Sequence, residues 1–228
     1  MRPVISHAIL RSFGRVRGRV LSESLRHVVQ HSLPALLIDE GLKHPADAFL
    51  GAYQEIRLEI GFGSGEHLVH LAKLYPHIGF IGCEPYLNGV AAAALLIEQE
   101  HIPNIRIFHG DARVLLANFS AASLSQIFIL FPDPWPKTKH HKKRLVSGNF
   151  PDELARVLVP SGMLTLATDH PDYATWMLSF MLRCPFFHWQ ARTQADWQTP
   201  PKDWTETRYQ QKARKEGREG MFFVFERE

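Results

Sequence analysis

The stretch FPDPWPKTKHHKKRLV, residues 131–146, sets the carboxylate of Asp133 between two prolines and follows it with the indole of Trp135. Lys137, Lys139, Lys142, Lys143 and Arg144 then arrive within eight residues. Pro132 and Pro134 fix their own φ angles and restrict the residue before each, so the loop holds its carboxylate stiffly. A rigid carboxylate, a flat aromatic and a dense run of cations suit the handling of a base attached to a phosphate backbone.

A second constellation is IRLEIGFGSGEHL, in which Gly61, Gly63 and Gly65 follow an apolar string and precede a helical one. Glycines there permit positive φ and let a ligand approach the backbone closely. A dinucleotide fingerprint needs its third glycine at position 66, which is Glu66. The G-x-G-x-G spacing fits a cofactor without phosphates better than a pyrophosphate. Three carboxylates accompany the loop: Glu59 before it, Glu84 twenty-five residues later, and Asp111 in FHGDA. A carboxylate at the place of Glu84 accepts hydrogen bonds from ribose hydroxyls. Asp111 could hold an adenine amino group, or could be the N-cap of a helix opening at Ala112. Together these features most resemble an S-adenosylmethionine pocket of the class I methyltransferase type.

Five short β-branched or aromatic strings read as buried strands: Ile56–Ile60, Gly79–Glu84, Ile105–Phe108, Gln126–Phe131 and Met163–Thr168. Helical patterns over Gly65–Leu74, Leu87–Glu100, Ala112–Asn118, Gly148–Val157 and Asp172–Leu182 alternate with them. That alternation predicts an α/β domain with a mostly parallel sheet. Phe186–Gln190 and Met221–Glu226 are expected to complete seven strands, with an antiparallel edge. Residues 1–50 read as a basic arm and connecting segments without a core of their own, and residues 51–228 as the domain. The polar excursion Thr193–Arg218 precedes the last strand.

At 228 residues the chain can bury a full core, and 45% hydrophobic with 21% charged residues excludes a disordered class. Net charge is only +3, yet Arg2, Arg11, Arg15, Arg17 and Arg19 all precede the first acidic residue, Glu23. With the 137–144 run they make two basic clusters, which hints at an anionic partner. Cys83 and Cys184 are the only cysteines, so no disulfide framework or zinc site is visible. His140 and His141 lack the companions a metal site needs. No apolar run approaches a membrane span, and the expectation is a cytoplasmic protein.

RSFGRVRGR, LEIGFGSGEHL, IGCEP, GDA, LFPDPWPKTKHHKKRLV, LATDHPDYATWM and TETRYQQKARKEGREGMFFVFER span nearly the whole chain. In that order they resemble the bacterial tRNA (guanine-N7-)-methyltransferase family. The resemblance implies a Rossmann-like class I fold and methyl transfer from S-adenosylmethionine to N7 of guanosine 46 in the tRNA variable loop. It implies Glu59, Glu84, Asp111 and Asp133 around the donor, with Asp133 catalytic. It assigns Lys137, Asp169 and Thr207, Arg208, Tyr209 and Gln210 to the substrate nucleoside. Lys139, His140, His141, Lys142, Lys143 and Arg144 would contact RNA. Gln210 stands where the family often carries glutamate.

Other readings stay open at this level. Asp169 could merely cap the helix near Asp172, and Trp135 and Tyr209 could either stack on a base or pack under their loops. The rivals are a non-catalytic RNA-binding module of this fold, a methyltransferase for another RNA, a protein or a small molecule, and a nicotinamide-dependent oxidoreductase. The expected assembly is a monomer or homodimer.

Overall fold

The computed structural model describes residue 18 and residues 20–228. Arg2, Arg11, Arg15, Arg17 and Arg19, the basic part of the expected arm, lie outside the described residues.

Among the described residues, seven strands form one sheet in the order β3-β2-β1-β4-β5-β7-β6. They are β1 Ile56–Ile60, β2 Gly79–Cys83, β3 Ile105–Phe108, β4 Leu124–Leu130, β5 Leu158–Thr168, β6 Phe187–Trp189 and β7 Met221–Arg227. The first five run parallel, and β7 enters antiparallel between β5 and β6. The antiparallel strand is therefore not only at an edge, because β6 has β7 as its one ladder partner among the described strands. β5 begins earlier than expected because Leu158 already pairs with Leu124 before the register shifts.

The parallel strands are buried on both faces, and side chains alternate between two cores. Ile56, Leu58, Ile60, Ile127 and Ile129 face α5 Ala112–Asn118, α6 Phe150–Val157 and α7 Pro171–Met181. Phe80, Ile105, Ile107, Phe128 and Leu130 face α3 Glu66–Leu74 and α4 Leu87–Gln99. The same alternation sends Glu59 to the α3 side.

Residues 23–50 are more than connecting chain, although they have no core of their own. α1 Glu23–His31, capped by Ser22, and α2 Leu33–Leu36 place Val28 and Leu33 in the α3–α4 core. Leu37 then bridges Ile107 in parallel, covering the β3 edge. The 193–218 excursion holds α8 Gln194–Gln198 and α9 Arg208–Lys215. No described helix is long and apolar enough to cross a membrane.

Strand order reverses between β1 and β4, so the loops after these strands part and leave a crevice at the carboxyl edge. The β1 loop fills it with Gly61 (φ +78°), Gly63 (φ +57°) and Gly65 (φ +81°). A Cβ on Gly65 would sit 2.7 Å from the Ala93 Cβ, so α3 and α4 meet there because the position is glycine. Gly65→Ala should therefore lower the urea-unfolding free energy by about 2 kcal/mol, from left-handed strain plus overpacking; an unchanged midpoint would refute this.

Candidate functional site

A cavity of about 290 Å³ opens at this crevice, walled by the segments that follow β1, β2, β3 and β4 and by Arg144 and Leu145. Of the residues expected around a cofactor, Gly61, Glu84, Asp111 and Asp133 line it. Glu84 accepts the backbone N–H of Gly63 at 3.0 Å and that of Tyr86 at 2.9 Å, which ties the glycine loop to the end of β2. Burial pushes the Glu84 carboxyl above its ordinary range, against the pull of those two N–H groups. Gly89 sits behind the loop, where a Cβ would meet the Gly63 carbonyl at 2.6 Å. At Gly61 and Gly63 no atom of the described residues lies within 4 Å of the same imagined atom, so this backbone is open to a ligand. Such a cradle, with a nearby acceptor carboxylate, fits a nucleoside cofactor.

The N-cap reading of Asp111 holds. Its carboxylate accepts the Arg113 N–H at 2.9 Å as the N-cap of α5, and it also lines the cavity. Sequence reasoning missed its partner Arg113, whose guanidinium grips the same carboxylate at 2.9 and 2.6 Å. Glu59 is elsewhere. It is buried under α3 with its carboxylate 2.8 Å from His67 Nδ1, so strand alternation turns it away from the cavity wall. Cys83 lines the floor, but burial pushes its thiol well up, which removes it as a nucleophile.

The Asp133 loop carries backbone strain at both ends: Phe131 has φ +50° and Trp135 φ +42°. Each left-handed non-glycine residue costs on the order of 1–3 kcal/mol and persists only where its surroundings over-determine it. The Phe131 N–H donates to the Ala167 carbonyl at 2.8 Å, and Arg144 Nε donates to the Pro134 carbonyl at 2.8 Å. Asp133 is held on the cavity wall between these two ties, and burial raises its carboxyl pKa.

Arg144 corrects an expectation. Placed by resemblance among RNA contacts, it has a side chain with no exposed surface. It pairs with Asp172, holding that carboxyl below its usual range, and lies 5.0 and 4.9 Å from the Tyr173 and Trp176 ring centres. The rest of the run forms a short 3-10 helix, Thr138–Lys143. Lys139 and Lys142 are exposed on it, as is Lys137 at its N-cap. Lys143 Nζ sits 4.5 Å from the Trp135 ring centre, and His141 packs on Trp176. Desolvation, then the surrounding lysines, lowers the His140 pKa.

Past the end of β5, the strand beside β4, Asp169 is buried. It caps no helix, because His170 takes that place by accepting the Tyr173 N–H. Asp169 accepts the Tyr209 hydroxyl at 3.2 and 3.3 Å and pairs with Arg218. Tyr209, 43% exposed, also meets Phe131 with ring centres 5.3 Å apart, so α9 touches the β4 loop here. Thr207 and Gln210 form a reciprocal capping box at the start of α9. Gln210 Oε1 accepts both the Thr207 N–H at 3.2 Å and Trp204 Nε1–H at 3.0 Å. A glutamate oxygen could accept the same two donors, which gives the Gln210 departure a physical reason. Arg208 is fastened to Glu66, at the position where the dinucleotide fingerprint would need glycine.

The comparisons agree with this geometry. Residues 53–223 match a family model described as "Putative methyltransferase". The tRNA (guanine-N(7)-)-methyltransferase of Nitrobacter hamburgensis is 45% identical over 219 residues, covering 95% of this chain and 86% of that one. That of Rhizobium meliloti is 44% identical over 220 residues, covering 94% of each. Among solved structures, an antibiotic-related methyltransferase superimposes with a TM-score of 0.56 at 14% identity, over 82% of this chain and 96% of that chain. At that identity the likeness concerns the fold alone.

Arg144→Gln should cost about 2–3 kcal/mol in urea unfolding, because it unpairs the Pro134 carbonyl and the half-exposed Asp172. Lys142→Gln, two residues away and exposed, should stay within about 0.5 kcal/mol of wild type. Equal, small effects would return Arg144 to the surface cations.

Proposed function

The chain belongs to the tRNA (guanine-N(7)-)-methyltransferase family, whose reaction is methyl transfer to N7 of guanine in tRNA. We propose that the donor is S-adenosylmethionine, that the target is guanosine 46 of the variable loop, and that the crevice between the β1 and β4 loops is where they meet. The observation that carries this reading is the convergence of Glu84, Asp111 and Asp133 on one cavity beside an open glycine loop.

S-adenosylmethionine supplies an electrophilic methyl group on a positively charged sulfonium. Gly61 and Gly63 offer close backbone approach, Glu84 offers an acceptor to ribose hydroxyls, and Asp111 borders the adenine end. Guanine N7 already carries a lone pair, so no residue needs to remove a proton before attack. The protein's part is in-line positioning and charge stabilisation. N-methylation gives guanine positive charge, and the rigid carboxylate of Asp133 on the cavity wall, with Asp169 beyond the neighbouring strand end, favours that change. Tyr209 and Trp135 present rings to an unstacked base, a contact worth about 1–3 kcal/mol. Lys137, Lys139 and Lys142 face solvent and can neutralise phosphates; each one neutralised steepens the loss of affinity with salt.

Incubation with S-adenosylmethionine and an unmodified tRNA transcript, followed by nucleoside mapping, should yield 7-methylguanosine in the variable loop. Methylation at another guanine would refute the position; binding of both ligands without a methylated nucleoside would refute the catalytic reading. Asp133→Ala should lower methyl transfer roughly 100-fold while tRNA affinity changes far less. A proportional loss of both would make Asp133 a binding residue only.

The raised carboxyl pKa values of Glu84 and Asp133 add a pH signature. A cationic ligand favours their ionised forms, which protonate as pH falls through a range above the usual carboxylate values. Affinity for S-adenosylmethionine measured by calorimetry should therefore fall as pH drops from neutrality. The neutral thioether S-adenosylhomocysteine should lose less, and identical losses would dissociate these carboxylates from the sulfonium.

A further inference from the structure

The reading of Asp169 and Tyr209 as guanine-side residues leaves open what holds them. Resting on that reading, we propose that Arg218 is a positioning residue for the substrate base, a strap that fixes Asp169 against Tyr209 and sets the gap into which guanine enters.

α9 ends in a Schellman motif. Gly217, at φ +75°, donates its N–H to the Arg214 carbonyl at 3.0 Å, and the Arg218 N–H reaches the Ala213 carbonyl at 3.0 Å. This pattern fixes the Arg218 backbone just before β7 enters the sheet beside Thr168. From there Nη1 donates to Asp169 Oδ2, and Nη2 donates to Glu216 at 2.6 Å. The guanidinium carbon lies 5.9 Å from the Tyr209 ring centre. One side chain thus joins the end of β5, the start of α9 and the end of α9.

Asp169 needs such a partner. Its side chain is only 4% exposed, and a carboxylate that deep is costly unless paired. Tyr209 supplies one hydroxyl proton; Arg218 supplies the compensating charge. Burial pushes the Tyr209 phenol up, so it stays a donor to Asp169 at neutral pH. With both partners in place the carboxylate is oriented before any base arrives, which is the condition for positioning to accelerate a reaction. Arg218 need not touch the base, and its effect passes through Asp169 and Tyr209.

The rival role is a direct phosphate contact, since the Arg218 side chain is 39% exposed. A double-mutant cycle on the full chain separates the two. For a positioning role, Arg218→Gln lowers kcat roughly tenfold. The KM for S-adenosylmethionine and the salt slope of tRNA binding stay at their wild-type values. In an Asp169→Asn background the same change has almost no further effect, and Arg218→Lys restores part of the lost kcat. A salt slope reduced by about one, or an undiminished loss in the Asp169→Asn background, would overturn the proposal. Amide exchange in the free protein supplies an independent reading: exchange over residues 207–215 must rise in Arg218→Gln, and unchanged protection also overturns the strap. Wild-type protein that methylates no tRNA defeats the function reading instead, and the exchange result then decides the strap alone.

Discussion

The reversal of strand order between β1 and β4 is the constraint on which the site depends. Parallel strands all present their carboxyl ends at one edge, and a helix must return the chain after each. Where the return directions diverge, the loops cannot close over one another. That gap receives the glycine loop from one strand and the proline-bounded carboxylate from the next. Glu84 and Asp111 line the same cavity from the ends of β2 and β3.

Strain and charge are handled locally. The left-handed residues Phe131 and Trp135 flank Asp133, and each neighbourhood contains a fixed tie: the Ala167 carbonyl for one, the Arg144 bond to Pro134 for the other. The buried charges follow the same rule. Asp111 has Arg113, Arg144 has Asp172, Asp169 has Arg218, and Glu59 has His67. Glu84 satisfies its oxygens with backbone N–H groups. Asp133, more exposed than these, makes no such pairing among the described residues, and desolvation at the cavity wall raises its carboxyl pKa. A carboxylate kept partly uncompensated at a cavity wall is well suited to meet a positive charge that arrives with a ligand.

Much of the fold was legible because buried parallel strands are short, β-branched and bounded by breakers, and because glycines and helix patterns follow them at fixed places. The carboxylates at successive strand ends were legible for the same reason. Other features depend on partners distant in sequence. A run of five cations reads as surface, and nothing local tells which member is enclosed. Arg144 is buried because Asp172, Tyr173 and Trp176 lie about it from a helix 28 residues away. Arg218 pairs with Asp169 across 49 residues and had no signal beyond the glycine before it. Glu59 was readable as part of a strand, but its face follows from alternation with Leu58 and Ile60, a cue within reach of the sequence. The helices of residues 23–36 escaped because they are brief and amphipathic and complete a core formed by others.

The insertion of β7 between β5 and β6 has a consequence for the order of assembly during synthesis. β7 follows every other strand in sequence, yet Phe223 and Phe225 from it are deeply buried, and β6 has β7 as its ladder partner. A nascent chain on the ribosome can pair β1 through β5 early, but β6 must wait without its neighbour until residues 221–227 have left the exit tunnel. Arg218 emerges immediately before them. The glycine-loop side of the crevice can therefore take shape cotranslationally, whereas the surroundings of Asp169 are completed by the segment that also closes the sheet.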